Sequence, residues 1–342
     1  MIMKIRLNSF VLIVVLLVVC PRFVGGQSSV SQNMADICIR DPYILADAKT
    51  GIYYMYRSSN AEDKNGKPIG GVEAFKSKDM KVWEGPFRVF TVPENNWITG
   101  MVWAPEVHAY KGKYYLFATL NSDIKWKKSQ PGWGDYTFRG VQVFHANSPE
   151  GPFLPFELIP YTPMDLMTLD GTLWVEDGNP YMIYCHEWVQ IVDGSIKLMK
   201  LSSDLSKAEG LSTTLFHASA APWSTGLFHP APLPTSYVTD GCFLYRSKTG
   251  KLLMIWSSFM NSEYAIGIAE SVTGKVAGPW KQQEKPLFVK NGGHGMIFKS
   301  FDGKLYIVFH GPNSPSGAER ACIYELEDMG DTLILKGKNI VE

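Results

Sequence analysis

At 342 residues, 45 % of them hydrophobic and 13 % aromatic, the chain is long and apolar enough to bury a large core, which excludes a disordered tail or linker. Its 33 basic residues balance 33 acidic ones and no long run of one sign occurs, so no net field exists to hold nucleic acid or an anionic membrane. The partner is expected to be neutral, or recognised by local groups.

The basic start, MIMKIR, precedes an apolar run from Phe10 to Val19 that is too short to cross a bilayer but suits a signal-peptide core. Cleavage after Gly26, in the VGG stretch, would leave Gln27 as the new terminus. Residues 1–26 are thus predicted to be a signal peptide and 27–342 a single mature domain with no transmembrane span. The alternative is a lipoprotein signal ending before Cys20, whose thiol would carry the anchor. Either way the chain is expected to be exported, to a periplasm or the exterior. The remaining cysteines, Cys38, Cys185, Cys242 and Cys322, are widely spaced and show no CxxC metal pattern, which predicts single buried thiols.

Beyond the leader one unit recurs five times: a Gly-containing turn followed by an aromatic and aliphatic strand. The copies are GIYYMYRSS from Gly51, GKYYLFATL from Gly112, GNPYMIYCHE from Gly178, GKLLMIWSSF from Gly250 and GKLYIVFHGP from Gly303. Their starts lie 61, 66, 72 and 53 residues apart. A second strand-like run precedes each (DPYIL, APEVHAY, GTLWVE, CFLYRS and GMIFKS), so each unit opens with a hairpin. Further strands follow, three units ending on Gly-Pro-aromatic, and no segment keeps a helical period. About four strands per unit of roughly 50–70 residues predicts an all-β, five-bladed β-propeller.

In a propeller the first strand of each blade lines the channel, and the loops between blades and between second and third strands gather on one rim. The sequence at the predicted starts of the first strands is Arg40-Asp41-Pro42, Trp103-Ala104-Pro105-Glu106, Leu169-Asp170-Gly171, Asp240-Gly241-Cys242 and Gly293-His294-Gly295. Asp41, Glu106, Asp170, Asp240 and His294 are therefore expected at equivalent positions. Glu187 and His310, ending the second strands of blades three and five, return to the same mouth. Asp177 and Asp302 fall in hairpin turns at the far rim and are expected to be structural.

Paired carboxyl groups across a sugar ring are what glycoside hydrolysis needs: one gives a proton to the leaving oxygen, the other activates water or attacks carbon. A third carboxylate nearby holds the acid's pKa up. Trp103, Trp188 and Trp223 are available as stacking faces for sugars, or as blade packing.

From RDPYIL at Arg40 through WAPEVHAYKGKYYLF and DGTLWVEDGNPYMIY to GHGMIFKSFDGKLYIVFH, the chain resembles family 43 of the glycoside hydrolases. The resemblance implies an inverting enzyme acting mainly on arabinofuranose, xylose and some galactose linkages. It implies Asp41 as general base, Asp170 as the residue that orients the acid and modulates its pKa, and His294 at a central site that in some members binds a buried water or calcium. No cofactor is required by this chemistry, and no other metal site is implied. The family's acid is usually a Glu in an EGP motif opening blade four, where this chain has Asp240-Gly241-Cys242. Glu187 and Asp240 remain as candidate acids, with Glu187 favoured for its longer arm. Arg40, Trp103, Glu106, Trp188, Asp240, His294 and His310 are expected to contact substrate. The expected function is an α-L-arabinofuranosidase on plant polysaccharide side chains, with a β-xylosidase or a non-catalytic sugar-binding propeller as alternatives.

Overall fold

The computed structural model describes residues 30–59 and 69–341. The expected signal segment 1–26, Cys20 and its lipidation lie outside them. Among the described residues no helix is long and apolar enough to cross a membrane.

The strands form five antiparallel sheets, each drawn from one contiguous stretch of chain. They are the blades of a five-bladed β-propeller. In every blade the first strand lies innermost: Tyr43–Asp47, Met101–Tyr110, Thr168–Glu176, Asp240–Arg246 and Gly293–Lys299. The second strands, Ile52–Ser58, Lys113–Lys127, Asn179–His186, Leu252–Met260 and Leu305–Gly311, are the five aromatic repeats. Each is nearly continuously apolar because both faces meet a neighbouring blade. Phe117, Tyr184, Trp256 and Phe309 are fully enclosed, and a buried side chain of the Leu or Phe class contributes about 1.5–3 kcal/mol. Apolar clusters span the seams between blades five, one and two, two and three, three and four, and four and five.

Two features set the mouth of the channel. The innermost strands of blades two to five each carry a β-bulge, where the register slips between Trp103 and Glu106, Leu169 and Thr172, Asp240 and Phe243, and Gly293 and Met296. The first bulged residue is left-handed every time: Ala104 (φ 41°), Asp170 (57°), Gly241 (51°) and His294 (56°), with Asp41 (49°) at the matching place in blade one. The true equivalents are therefore Asp41, Ala104, Asp170, Gly241 and His294. This corrects the expected register: Asp240 lies one residue before its blade's equivalent and Glu106 two residues after. A bulge inserts a residue that no local sequence pattern announces, so counting from strand starts misplaces both. Left-handed backbone costs a non-glycine residue about 1–2 kcal/mol, a strain that clusters at functional sites.

The second feature is the closing seam. Ala35 to Arg40 runs along blade five: Cys38 bridges Arg320, the Ile39 N–H donates to Glu319 O (3.1 Å), and Arg320 Nε donates to Ala35 O (2.9 Å). A short strand, Val30–Asn33, then pairs with the outer strand of blade one. The four cysteines among the described residues are free thiols; Cys185 and Cys242 are buried as expected, whereas Cys38 and Cys322 are only partly so.

Candidate active site

The mouth opens into a cavity of about 640 Å³ bordered by Arg40, Asp41, Asp170, Glu187, Asp240 and His294. Trp103 and Trp188 also border it. The structure thus brings together the residues expected at the starts of the first strands and the end of blade three's second strand. Glu106 and His310 are buried and do not border this cavity. Glu106 Oε2 pairs with His108 Nε2 (2.8 Å), and His108 Nδ1 meets the Tyr43 hydroxyl (3.2 Å). His310 is fully enclosed, its Nδ1 accepting the Asp41 N–H (3.3 Å) and lying 3.1 Å from Asp41 Oδ1. Trp223 does not face sugar: it is buried against Trp256, with ring centroids 4.9 Å apart. Asp177 and Asp302 stand exposed beside Lys275 and Lys304, at the turns where they were expected.

His294 is the hinge of the carboxylate cluster. Its Nδ1 lies 3.3 Å from Asp41 Oδ1 and 3.6 Å from Asp170 Oδ2, and its backbone N–H donates to Ser257 Oγ (2.8 Å). Asp170 Oδ2 also accepts the Gly241 N–H (3.0 Å), while the Asp170 N–H donates to Thr119 Oγ1 (2.9 Å). Gly241 is required at its place: a Cβ there would meet His294 Cα and the imidazole at 2.8 Å, in addition to the left-handed φ. Asp240 Oδ2 accepts the Tyr264 hydroxyl (2.9 Å). Arg40 bridges Asp41 (3.9 Å) and Glu319 (3.2 Å).

This geometry separates the carboxyls chemically. Burial alone would raise Asp41, but His294, His310 and Arg40 together hold it well below the usual carboxylate range, so it is ionised. Asp170 is pushed up to about 7, by burial first, with His294 opposing and the Asp240 and Asp41 charges adding to the rise. Burial also raises Asp240, against His294 and Tyr264. His294 is raised: burial would lower it, but Asp41, Asp170 and Asp240 favour the imidazolium. Among the described residues no three His, Cys, Asp or Glu side chains are arranged to hold a metal ion.

Glu187 leaves the second strand of blade three immediately before a single helical turn, Trp188–Ile191, with its backbone N–H on Met167 O (2.9 Å). Its Oε2 pairs with Arg139 Nη1, and the Arg139 guanidinium lies over the Trp103 ring, 4.3 Å from its centroid. Burial raises the Glu187 pKa, and with the Asp240 charge it outweighs Arg139, which pulls the other way. Trp133 caps this corner, donating Nε1–H to Val189 O (2.8 Å) and packing edge-on to Trp188. Arg139 and Tyr264 escaped the reading of the sequence. Both lie at or near the starts of third strands, Tyr136–Ala146 and Glu263–Ser271, which begin at the rim where second strands end.

Asp170 ties the cluster to stability. The folded chain keeps its proton up to about pH 7, whereas the unfolded chain releases it near 3.8. Its contribution is therefore complete below about pH 4 and lost as pH rises through 7. Asp41 acts oppositely, its share being present above the usual carboxylate range and lost on strong acidification. Asp170→Asn, which cannot ionise, is expected to melt about 2–6 °C above the parent at pH 8, and the gap should narrow below pH 7 and close by about pH 4 in calorimetry.

A ring of carboxyls whose pKa values are pushed apart at the mouth of a five-bladed propeller, flanked by the half-buried indoles of Trp103 and Trp188, is the site of an enzyme that cuts glycosidic bonds. The chain matches the glycosyl hydrolases family 43 over residues 36–327 and belongs to that family; it is a glycosidase. It is 37 % identical to an endo-arabinase of Bacteroides thetaiotaomicron of known crystal structure, with a TM-score of 0.75 over 86 % of this chain and 96 % of that one. It is 24 % identical over 271 residues to an extracellular endo-α-(1→5)-L-arabinanase of Bacillus subtilis, covering 75 % of this chain and 71 % of that protein. An extracellular exo-α-(1→5)-L-arabinofuranosidase of Cellvibrio japonicus is 22 % identical over 312 residues, covering 83 % and 81 %.

Proposed function

We propose that the enzyme hydrolyses α-L-arabinofuranosyl linkages of plant polysaccharides, outside the cell, by inversion. The reading rests on one observation above all: Asp41, whose neighbours favour its ionised form, and Glu187 border the same cavity, with Asp170 of blade three beside them. Asp41 takes a proton from water, whose oxygen attacks the anomeric carbon. The carbon–oxygen bond to the leaving sugar breaks, and that oxygen takes the proton of Glu187, so one water is consumed per bond. Arg139 fixes the Glu187 carboxyl. Asp170 accepts the Gly241 N–H that precedes Cys242 and shares His294 with Asp41, so its charge state is coupled to that of the base.

Arabinose is favoured over xylose by the named activities of the relatives above. Export is supported by the basic and apolar leader and by the extracellular relatives. Purified mature enzyme is expected to release arabinose or arabino-oligosaccharides from arabinan and to cleave nitrophenyl α-L-arabinofuranoside at least about tenfold faster than the β-D-xyloside, a modest margin for sugars of similar size. Chromatography of the products and the two aryl glycoside rates decide it; a preference for the xyloside would overturn the assignment.

A further inference from the structure

Glu187 lines a second cavity as well, of about 380 Å³, which it shares with Arg139. Apart from Val189, its remaining wall is the hairpin of blade two. The second strand of that blade runs for 15 residues, Lys113–Lys127, against 7–9 in the other four blades. The extra length projects from the rim and contributes Asn121, Ser122, Asp123 and Lys125, faced by Asp135 and Thr137 from the returning side. Donors and acceptors alternate, as hydroxyl-rich neutral ligands require. Asn121 Oδ1 accepts from Arg139 Nε (2.8 Å) and Thr137 Oγ1 (3.3 Å). Its amide N–H groups have no partner among the described residues. Trp126, partly exposed on the same hairpin, stands edge-on to Tyr136.

The proton donor of a glycosidase sits at the bridging oxygen, between the sugar that is attacked and the one that leaves. Asp41 lies in the large cavity and Glu187 borders both. We propose that the blade-two hairpin builds a leaving-group subsite, in which Asn121, Asp123 and Lys125 hold the neutral sugar on the reducing-end side of the bond being cut. The proposal rests on Glu187 as the acid. It makes the enzyme a reader of chain length: a single aryl group reaches past Glu187 less than an oligosaccharide does.

The test compares the parent with Asp123→Ala/Lys125→Ala on nitrophenyl α-L-arabinofuranoside and on α-(1→5)-arabino-oligosaccharides of two to five sugars. Lys125 forms an exposed ion pair with Asp135 (2.9 Å), whose loss costs the fold little. In the parent, kcat/KM should climb at least about tenfold from the disaccharide to the longer chains. The double variant should lose that climb, dropping about tenfold on the tetrasaccharide and less than about twofold on the aryl glycoside, since each lost hydrogen-bonding contact is worth a few-fold. Equal losses on both substrates, or no loss on the oligosaccharides, would overturn the subsite. A parent that cleaves the aryl arabinofuranoside without length dependence would overturn the subsite and leave the substrate reading standing. A parent active only on xylosides would overturn the substrate reading, and the same comparison on xylo-oligosaccharides would then decide the subsite.

Discussion

Asp41→Asn is expected to cut kcat on arabino-oligosaccharides by about 10³-fold or more while the far-ultraviolet spectrum still reports a β-fold, the upper range for removing a positioned general base. The asparagine keeps the shape and the left-handed backbone, a conformation it adopts more readily than most residues. It lacks the charge that Asp41 keeps under the influence of His294, His310 and Arg40. Because that influence holds Asp41 ionised far into acid, the parent's activity should show no loss of the base on the acid side down to about pH 4, where an ordinary carboxylate would already be failing. Proton NMR of the first-formed sugar gives the second readout. Inversion places water on Asp41; a retained anomer would mean that a carboxylate attacks carbon, and the base assignment would be wrong.

Glu187→Ala should be slowed about 10²- to 10⁴-fold on natural oligosaccharide yet stay within about tenfold of the parent on a dinitrophenyl glycoside, whose leaving group departs without a proton. The same variant should lose the fall in rate on the basic side. An acid works only while protonated, so the parent loses activity as pH rises through the Glu187 pKa, which burial places above the ordinary glutamate range. Asp240→Ala provides the contrast. Asp240 occupies the position that opens blade four, but its Oδ2 is engaged by the Tyr264 hydroxyl, and its carboxyl is one methylene shorter. Its loss should be felt similarly on both substrates, through Tyr264 and Asp170. Should Asp240→Ala instead show the leaving-group dependence and Glu187→Ala not, proton donation belongs to blade four. The subsite at the blade-two hairpin would then fall with Glu187.

The fold was legible because the repeat is long-range and redundant. Five aromatic strands, each preceded by the same turn chemistry, leave little besides a propeller, and an error in any one of them would not have changed the count. The site was legible only where it follows from that architecture. Asp41, Asp170, Glu187, Asp240 and His294 could be placed at one mouth because strand ends can be assigned from sequence. Their register could not, because no local pattern announces a bulge, and Glu106 and Asp240 were misaligned by two residues and by one. Trp223 shows the other limit: an indole that packs against Trp256 and one that borders the cavity, such as Trp103, have the same local pattern. Arg139 was missed although it lies near the start of a third strand, since a lone arginine in a strand signals nothing until its partners, Glu187 and Trp103, are known.

The closing seam has a consequence for how the enzyme comes into being. Asp41 belongs to the first blade to be synthesised, yet His294, His310 and Glu319, which set its charge directly or through Arg40, belong to the last. A chain that ends before blade five lacks the partners that hold Asp41 ionised, and lacks the His310 ring on which Tyr264 stacks. The tuning of the base is thus completed only when the ring closes on itself, and a chain clipped before blade five is expected to turn over no glycan, which an activity assay of that truncation checks.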